Sequence, residues 1–135
     1  MHYGEQGALR RGGRHAVTEV ANSPFFSVII PTRNRPDFLL RAAQSVLQQD
    51  FGDYELIVVV DGSDEGNLQR YREIESEQPG ITFEFMVHRP RGHGHSYSMN
   101  VGAAIAKGRY LCFIDDDDYW TDAGHLSRVY SSIDA

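Results

Sequence analysis

The stretch FFSVIIPTRN, residues 25–34, sets the pattern for the chain, because an apolar, β-branched run is followed by a proline and polar residues. Runs of this kind are typical of strands that are buried on both faces of a sheet. Arg35-Pro36-Asp37 comes next, with proline where the first turn of a helix loses little from a missing N–H group. Apolar residues then recur at helical spacing from Leu39 to Leu47. The stretch therefore predicts a strand ended by Pro31, a polar loop and a helix.

The same unit recurs along the chain. Further strands are predicted at ELIVVV (55–60), ITFEFMVH (81–88) and YLCFI (110–114). Apolar residues at helical spacing predict the helices between these strands, and the third helix is expected to end near Gly108, at a C-terminal glycine. Asp122 is expected to cap a last helix. Alternation of strands and helices indicates an α/β fold, a mostly parallel sheet with flanking helices.

Polar residues follow each predicted strand at the point where the strand ends. Since crossovers between parallel strands are right-handed, the loops that follow the strands open on one edge of the sheet. Ligands of open α/β sheets bind at that edge. We expect four loops to meet there: Thr32-Arg33-Asn34, Asp61-Gly62-Ser63, Arg89 to His95, and Asp115 to Asp118.

The fourth of these loops belongs to FIDDDDYW, residues 113–120, which places four carboxylates in succession after an apolar run. Neighbouring unit charges repel by about 1 kcal/mol in bulk water and by more where water is thinned out. In an extended chain Asp115 and Asp117 point the same way, with Asp116 facing elsewhere. Two converging carboxylates suit a hard cation such as Mg²⁺ or Mn²⁺, whose other ligands are water and substrate phosphates. A solvated acidic turn is the alternative.

The other loops have polar groups that suit a nucleotide. Asp61 can accept an N–H group of a base or a ribose hydroxyl, and alternatively it caps the turn before Gly62. The Thr32-Arg33-Asn34 loop can cradle a nucleotide, or it can serve as an ordinary helix N-cap. Arg91 is a candidate partner for a diphosphate, as are Arg33 and Arg35.

Bulk properties restrict the function classes. A length of 135 residues fits one domain, and a net charge of −6 disfavours nucleic acid as a partner. The single cysteine and the lack of a signal peptide or an apolar membrane span predict a cytoplasmic protein, with peripheral association at the inner face of the membrane left open. Residues 1–23 are rich in glycine and arginine and are expected to form a flexible tail before a domain spanning 24–135. Neither G-x-G-x-x-G, a P-loop nor a nucleophile elbow is present.

Two stretches together carry a family resemblance. FSVIIPTRNRPDFLLRAAQSVLQQDFGDYELIVVVDGSDEG and NVGAAIAKGRYLCFIDDDD resemble the opening half of family 2 glycosyltransferases, which have the GT-A fold, from about Phe26 to Leu126. The resemblance implies a Rossmann-like half that binds a nucleotide-diphosphate sugar, often UDP-linked, with Mn²⁺ or Mg²⁺ held by a D-x-D motif. It implies that Asp115-Asp116-Asp117 is this motif, that Asp61 reads the nucleobase, and that Pro31, Thr32 and Arg33 line the base.

The resemblance also implies inverting transfer to an acceptor, which can be a saccharide, a lipid or a protein. The catalytic base would lie in an acceptor-binding half, and the family pattern places that half after the D-x-D motif. The chain is accordingly expected to be truncated, and no catalytic residue is assigned. Two alternatives stay open: a non-catalytic module that binds nucleotide sugars, and an unrelated metal-dependent phosphotransferase with Asp61 as nucleophile. Against the latter, Asp61-Gly62-Ser63 has no second aspartate two residues on.

Overall fold

A computed structural model describes residues 23–134 of the chain. Four strands form one parallel sheet in the order β3-β2-β1-β4, as the alternating pattern predicts. Apart from Ser23, the predicted tail of residues 1–23 lies outside the described residues. The strands are β1 (Phe26–Thr32), β2 (Tyr54–Val60), β3 (Ile81–Phe85) and β4 (Tyr110–Phe113).

Helices cover both faces of the sheet. Their side chains meet alternate residues of the strands, since successive side chains of a strand point to opposite faces. On one face, α1, α2 and α4 pack against β1 residues such as Val28 and Ile30. On the other face, α3 packs against Ile29, Ile57 and Val59. The helices are α1 (Pro36–Leu47), α2 (Glu65–Glu77), α3 (His95–Ile105) and α4 (His125–Asp134).

Pro31 does not end the first strand, contrary to the prediction. β1 continues to Thr32, and Pro31 pairs in register with Val59 of β2. Alternate residues of β1 bond to opposite neighbours: the C=O group of Ile29 bonds towards β4 and that of Thr32 bonds towards β2. The nitrogen of Pro31 therefore faces the β4 side, where the ladder already ends at the Ile29–Phe113 pair. A missing N–H group costs no ladder bond there.

Three other element ends differ from the prediction by more than one residue. β3 ends at Phe85 rather than at residue 88, because its partner β2 ends at Val60 and turns away. α3 ends at Ile105, before Gly108, which donates its N–H group to Ser27 Oγ at 2.8 Å instead of capping the helix. α4 begins at His125, and the Asp122 side chain accepts from Gly124 N at 2.8 Å in the preceding turn.

The close approach of α3 to the sheet depends on Gly102. A Cβ atom there would lie 2.5 Å from Cγ2 of Ile29 and 3.3 Å from Cγ2 of Val59, both in the buried core. We expect Gly102→Val to lower the free energy of unfolding by about 2 kcal/mol, because forced overpacking typically costs about 1–3 kcal/mol. Chemical denaturation measures the change. Gly52→Ala is the control, since no atom lies within 4 Å of its added Cβ, and an equal loss in the two variants would contradict the packing argument.

None of the helices among residues 23–134 combines the length and the apolar character that crossing a bilayer requires.

Candidate functional site

The loops that follow β1, β2 and β4 meet the segment before α3 at the carboxyl edge of the sheet. They enclose an open cleft of about 400 Å³. Every site residue predicted from the sequence lines this cleft except Asn34, and Arg35, Gly94, His95 and Ser98 complete its wall. The topology thus brings together residues that are up to 86 positions apart, from Pro31 to Asp117. A crevice at this edge is where parallel α/β sheets bind ligands.

Asn34 stands outside the cleft and joins two of its loops. Its backbone has a positive φ of 55°, which asparagine tolerates better than most residues. Its N–H group donates to Ser63 Oγ at 3.1 Å, and its side-chain oxygen accepts from Asp64 N at 2.8 Å. The capping alternative is wrong for Asn34, because Arg35 is the N-cap of α1 and makes no side-chain cap bond. Asn34 therefore does not cap α1 but holds the loop after β2 through Asp64, the N-cap residue of α2.

Asp116 is buried at the base of the cleft, with 2% of its side chain exposed. One carboxylate oxygen accepts from Thr32 Oγ1 at 2.8 Å, and the other lies 2.7 Å from the half-exposed guanidinium of Arg35. Burial raises the pKa of Asp116, and the Asp117 charge adds to this, while the contacts with Thr32 and Arg35 oppose it. Both oxygens are thus engaged within the protein, which favours a structural role for Asp116 over the predicted ligand contact.

The sequence pattern did not identify Tyr71 as part of the site. Helical spacing predicts only that Tyr71 lies on the apolar face of α2, and its ring is fully buried. Its hydroxyl lies 2.6 Å from Thr32 Oγ1 and accepts from Arg35 N at 3.0 Å. Tyr71 therefore connects α2 through Thr32 to Asp116. The sequence signals this role only by having tyrosine, which has a hydroxyl group, at a core position that an aliphatic side chain such as leucine could also occupy.

The exposed carboxylates of the acidic run converge above Asp116. One oxygen from each of Asp115, Asp117 and Asp118 lies within 4.8 Å of the others. The predicted convergence of Asp115 and Asp117 agrees with this arrangement, whereas Asp118 was not predicted as a member. The N–H group of Asp118 donates to Asp115 O at 3.1 Å, so a turn brings Asp118 back to the pair. Three oxygen donors of this kind fit Mg²⁺ or Mn²⁺, with positions left for water or phosphate.

Asp61 is held by the segment before α3. His93 and Gly94 donate their backbone N–H groups to its carboxylate at 2.7 and 3.0 Å, and His93 Nδ1 lies 2.9 Å from Oδ1. Burial alone would raise the pKa of Asp61, but the hydrogen bonds from the His93 side chain and from the two N–H groups outweigh it and lower the pKa. Asp61 is therefore ionised, and hydrogen bonds from the protein stabilise its charge. His93, which the sequence places only within the loop Arg89 to His95, bonds to Asp61 through both its backbone and its ring.

Arginine side chains and His95 face the carboxylates across the cleft. Arg33 and Arg91 both line it, and Arg33 is fixed by a bond from its guanidinium to Pro90 O at 3.2 Å. Arg35 also approaches Asp117, at 3.6 Å, and His95 Nε2 lies 3.4 Å from Asp115 Oδ1. Three guanidinium groups next to a carboxylate cluster form a surface that suits a diphosphate together with a divalent cation.

A second cleft of about 620 Å³ adjoins the first across Pro31, His95 and Asp115. Tyr119 and Trp120 line it, but they differ in their surroundings. Trp120 is half-buried against the core and its ring lies 4.7 Å from that of His125. Tyr119 is 48% exposed beneath the Arg41 guanidinium. Trp120 thus has a packing role, while Tyr119 is open to a ligand.

Comparison with known proteins gives consistent matches. The family model described as "Glycosyl transferase family 2" matches residues 27–135. The chain is 38% identical over 101 residues to the putative colanic acid biosynthesis glycosyl transferase WcaA of Escherichia coli K12, covering 74% of this chain and 35% of that protein. It is 33% identical over 111 residues to a PGL/p-HBAD biosynthesis glycosyltransferase of Mycobacterium bovis BCG, covering 82% and 42%. The chain thus spans about a third to two fifths of the length of these relatives.

Solved structures share the fold. Residues 1–349 of Staphylococcus aureus TarS in complex with UDP match with a TM-score of 0.67 and 30% identity, over 81% of this chain and 32% of that one. The same protein has been solved with UDP-GlcNAc. The mannosyltransferase PcManGT of Pyrobaculum calidifontis, solved with GDP-Man and Mn²⁺, matches with a TM-score of 0.67 at 21% identity, over 80% and 32%, and this likeness concerns the fold alone. Sequence, sheet order and matches agree: the chain belongs to glycosyl transferase family 2, with the α/β architecture of GT-A transferases.

Proposed function

We propose that the chain is the donor-binding half of a transferase that moves a sugar from a nucleotide-diphosphate sugar to an acceptor, with inversion and with dependence on a divalent metal. The observation that carries the proposal is the convergence of the Asp115, Asp117 and Asp118 carboxylates beside a cleft at the carboxyl edge of the sheet that three arginine side chains line. UDP is the favoured nucleotide, because the TarS structures with UDP and UDP-GlcNAc are 30% identical to this chain.

Each group of the cleft has a role in this proposal. Asp115, Asp117 and Asp118 hold Mg²⁺ or Mn²⁺, and such an ion would supply positive charge beside the leaving diphosphate. Arg91 and Arg33 pair with phosphate oxygens as charge-assisted donors. Pro31 and Thr32 form the floor against which the nucleotide lies, and Asp116 holds Arg35 in place at 2.7 Å.

No catalytic base is assigned. The cleft carboxylates of residues 23–134 already have other roles, since Asp61 and Asp116 are bonded within the protein and the exposed aspartates form the metal cluster. This agrees with the family pattern, in which the base belongs to an acceptor-binding half. The acceptor can be a saccharide, a lipid or a protein. Localisation of the protein in the cytoplasm, with association at the inner face of the membrane left open, stays a prediction.

Calorimetry of UDP binding tests the proposal. We expect binding heat in the presence of Mn²⁺ or Mg²⁺ and none with EDTA, because the carboxylates repel a bare diphosphate. Binding of UDP that is indifferent to EDTA would contradict the metal site.

The alternative is a module that binds a nucleotide sugar without transferring it. It is favoured by the chain's share of its relatives' length, 35% for WcaA. Incubation with a radiolabelled UDP-sugar separates the two functions. Released or transferred sugar indicates an enzyme, whereas metal-dependent binding with an intact donor indicates a module.

A further inference from the structure

We propose that Tyr71 is a positioning residue of the donor site, whose buried hydroxyl fixes Arg35 so that the Arg35 guanidinium can pair with a diphosphate. The inference rests on the proposed function, because it concerns the phosphate side of the same cleft. Tyr71 lies on α2, and no residue of this helix, Glu65–Glu77, lines the cleft. Its effect on a ligand would therefore be exerted through other side chains.

The Tyr71 hydroxyl belongs to a chain of hydrogen bonds that run in one direction. Thr32 Oγ1 donates to Asp116 Oδ2 at 2.8 Å. A threonine hydroxyl has a single proton, so in the 2.6 Å contact between Tyr71 and Thr32 the tyrosine donates and the threonine accepts. Tyr71 in turn accepts from the backbone N–H group of Arg35 at 3.0 Å. The chain of bonds therefore leads from the Arg35 backbone to the Asp116 carboxylate.

The network closes on Arg35 itself. The other oxygen of Asp116, Oδ1, lies 2.7 Å from Nη2 of the Arg35 guanidinium. Arg35 is thus held at two points, by its backbone through Tyr71 and by its side chain through Asp116. Tyr71, Thr32 and Asp116 are all buried, so water cannot readily replace a missing hydroxyl among them. Buried polar networks rigidify a structure when every member has its partner, and the Tyr71 hydroxyl is the member that joins the two points.

Arg35 stands where a phosphate group could meet it. Its half-exposed guanidinium lines the cleft and lies 3.6 Å from Asp117 Oδ2, beside the proposed metal cluster. A guanidinium has five N–H donors, so its contacts with two carboxylates leave donors for a ligand. Arg35 is also the N-cap residue of α1, but arginine has no acceptor and its side chain makes no cap bond. The network with Tyr71, rather than helix capping, therefore sets the place of this side chain.

Tyr71→Phe removes the hydroxyl group and leaves the buried ring in place. With Mn²⁺ present, we expect this variant to bind UDP and pyrophosphate about tenfold more weakly than the wild type, because Arg35 loses one of the two contacts that hold it. Calorimetric titration measures both affinities. Unchanged affinities overturn the inference. A loss for UDP with pyrophosphate unaffected also overturns it, since that result would place the effect on the nucleoside, through Thr32.

Tyr54→Phe is the matched control. Its hydroxyl donates to Val46 O at 3.3 Å, so this substitution also removes one hydrogen bond between a tyrosine and the rest of the fold. Tyr54 does not line the cleft. We expect its substitution to leave both affinities unchanged, and an equal loss in the two variants overturns a specific role for Tyr71.

A double-mutant cycle with Arg35→Gln separates an effect through Arg35 from a general effect on the fold. Arg35→Gln alone should weaken pyrophosphate binding by about tenfold, since a charge-assisted donor is lost. If Tyr71 acts through the Arg35 guanidinium, adding Tyr71→Phe to Arg35→Gln should cost less than about twofold more. A second tenfold loss overturns the inference, as does an Arg35→Gln variant that binds pyrophosphate as tightly as the wild type.

NMR of the arginine side chains provides a readout that needs no ligand. The Nε–H signal of Arg35 is identified by its loss in Arg35→Gln. In Tyr71→Phe we expect its order parameter to fall towards the values below about 0.6 that mark flexible groups, and in Tyr54→Phe to stay as in the wild type. An unchanged value in Tyr71→Phe overturns the inference. If the wild type binds neither UDP nor pyrophosphate with Mn²⁺, the proposed function fails, while this signal still decides whether Tyr71 fixes Arg35.

Discussion

Replacing Asp117 with alanine is expected to abolish metal-dependent UDP binding. Asp117 contributes one of the three converging carboxylates, and it is exposed where a cation and a diphosphate could reach it. Removal of residues that only orient metal ligands commonly costs about 10- to 100-fold in affinity, so loss of a ligand itself should cost at least about 100-fold. Calorimetric titration with UDP at fixed Mn²⁺ concentration measures this change.

The sign of the effect depends on the metal. Without a cation, Asp117 places a negative charge beside a negatively charged ligand, so Asp117→Ala should bind UDP in EDTA as well as the wild type or slightly better. A loss of binding with Mn²⁺ combined with an unchanged free energy of unfolding in EDTA identifies a metal ligand, whereas a matching loss of stability points to a folding defect. Asp37→Ala is the control, because the Asp37 side chain is 90% exposed on α1 and outside the cleft. Unchanged Mn²⁺-dependent UDP affinity in Asp117→Ala would contradict the assignment of Asp117 as a metal ligand.

The fold could be predicted because its determinants are local. Each strand is a short run of β-branched and aromatic residues, and each run is separated from the next by apolar residues at helical spacing. The ends of the elements could not be predicted in the same way, because they depend on neighbours. Phe85 ends β3 only because β2 turns away after Val60, and Pro31 is tolerated within β1 only because the β4 ladder has already ended.

The site could be predicted at the level of which loops meet, but not at the level of which side chains are free. Parallel topology alone brings Asp61, Arg91 and the acidic run to one edge of the sheet. Whether a given aspartate faces the cleft depends on partners far along the chain, such as Thr32 for Asp116 and His93 for Asp61. Asp118 joins the cluster through a turn that an extended-chain argument leaves out.

Asp116→Asn is expected to separate stability from binding. The pKa of Asp116 is raised, chiefly by burial, so the folded state holds its proton more tightly than the ordinary value of 3.8 implies. The stability that this carboxyl contributes is therefore fully present below pH 3.8 and is lost as the pH rises through the folded-state value. A neutral amide lacks this dependence, so the variant should gain stability relative to the wild type as the pH rises.

At pH 7 the unfolding free energy of metal-free Asp116→Asn should lie within about 1 kcal/mol of the wild type or above it, because the amide avoids the cost of burying a charge and an ion pair with a half-exposed partner contributes little. Arg35 stays hydrated because 47% of its side chain is exposed. The amide can still accept from Arg35 but carries no charge, so Arg35 is held more weakly and UDP affinity with Mn²⁺ should fall by about tenfold. Denaturation at pH 4 and 7 in EDTA and calorimetry measure these effects, with Asp37→Asn as control. A variant that loses more than about 2 kcal/mol at pH 7, yet binds UDP normally, would show that Asp116 serves the fold and not the site.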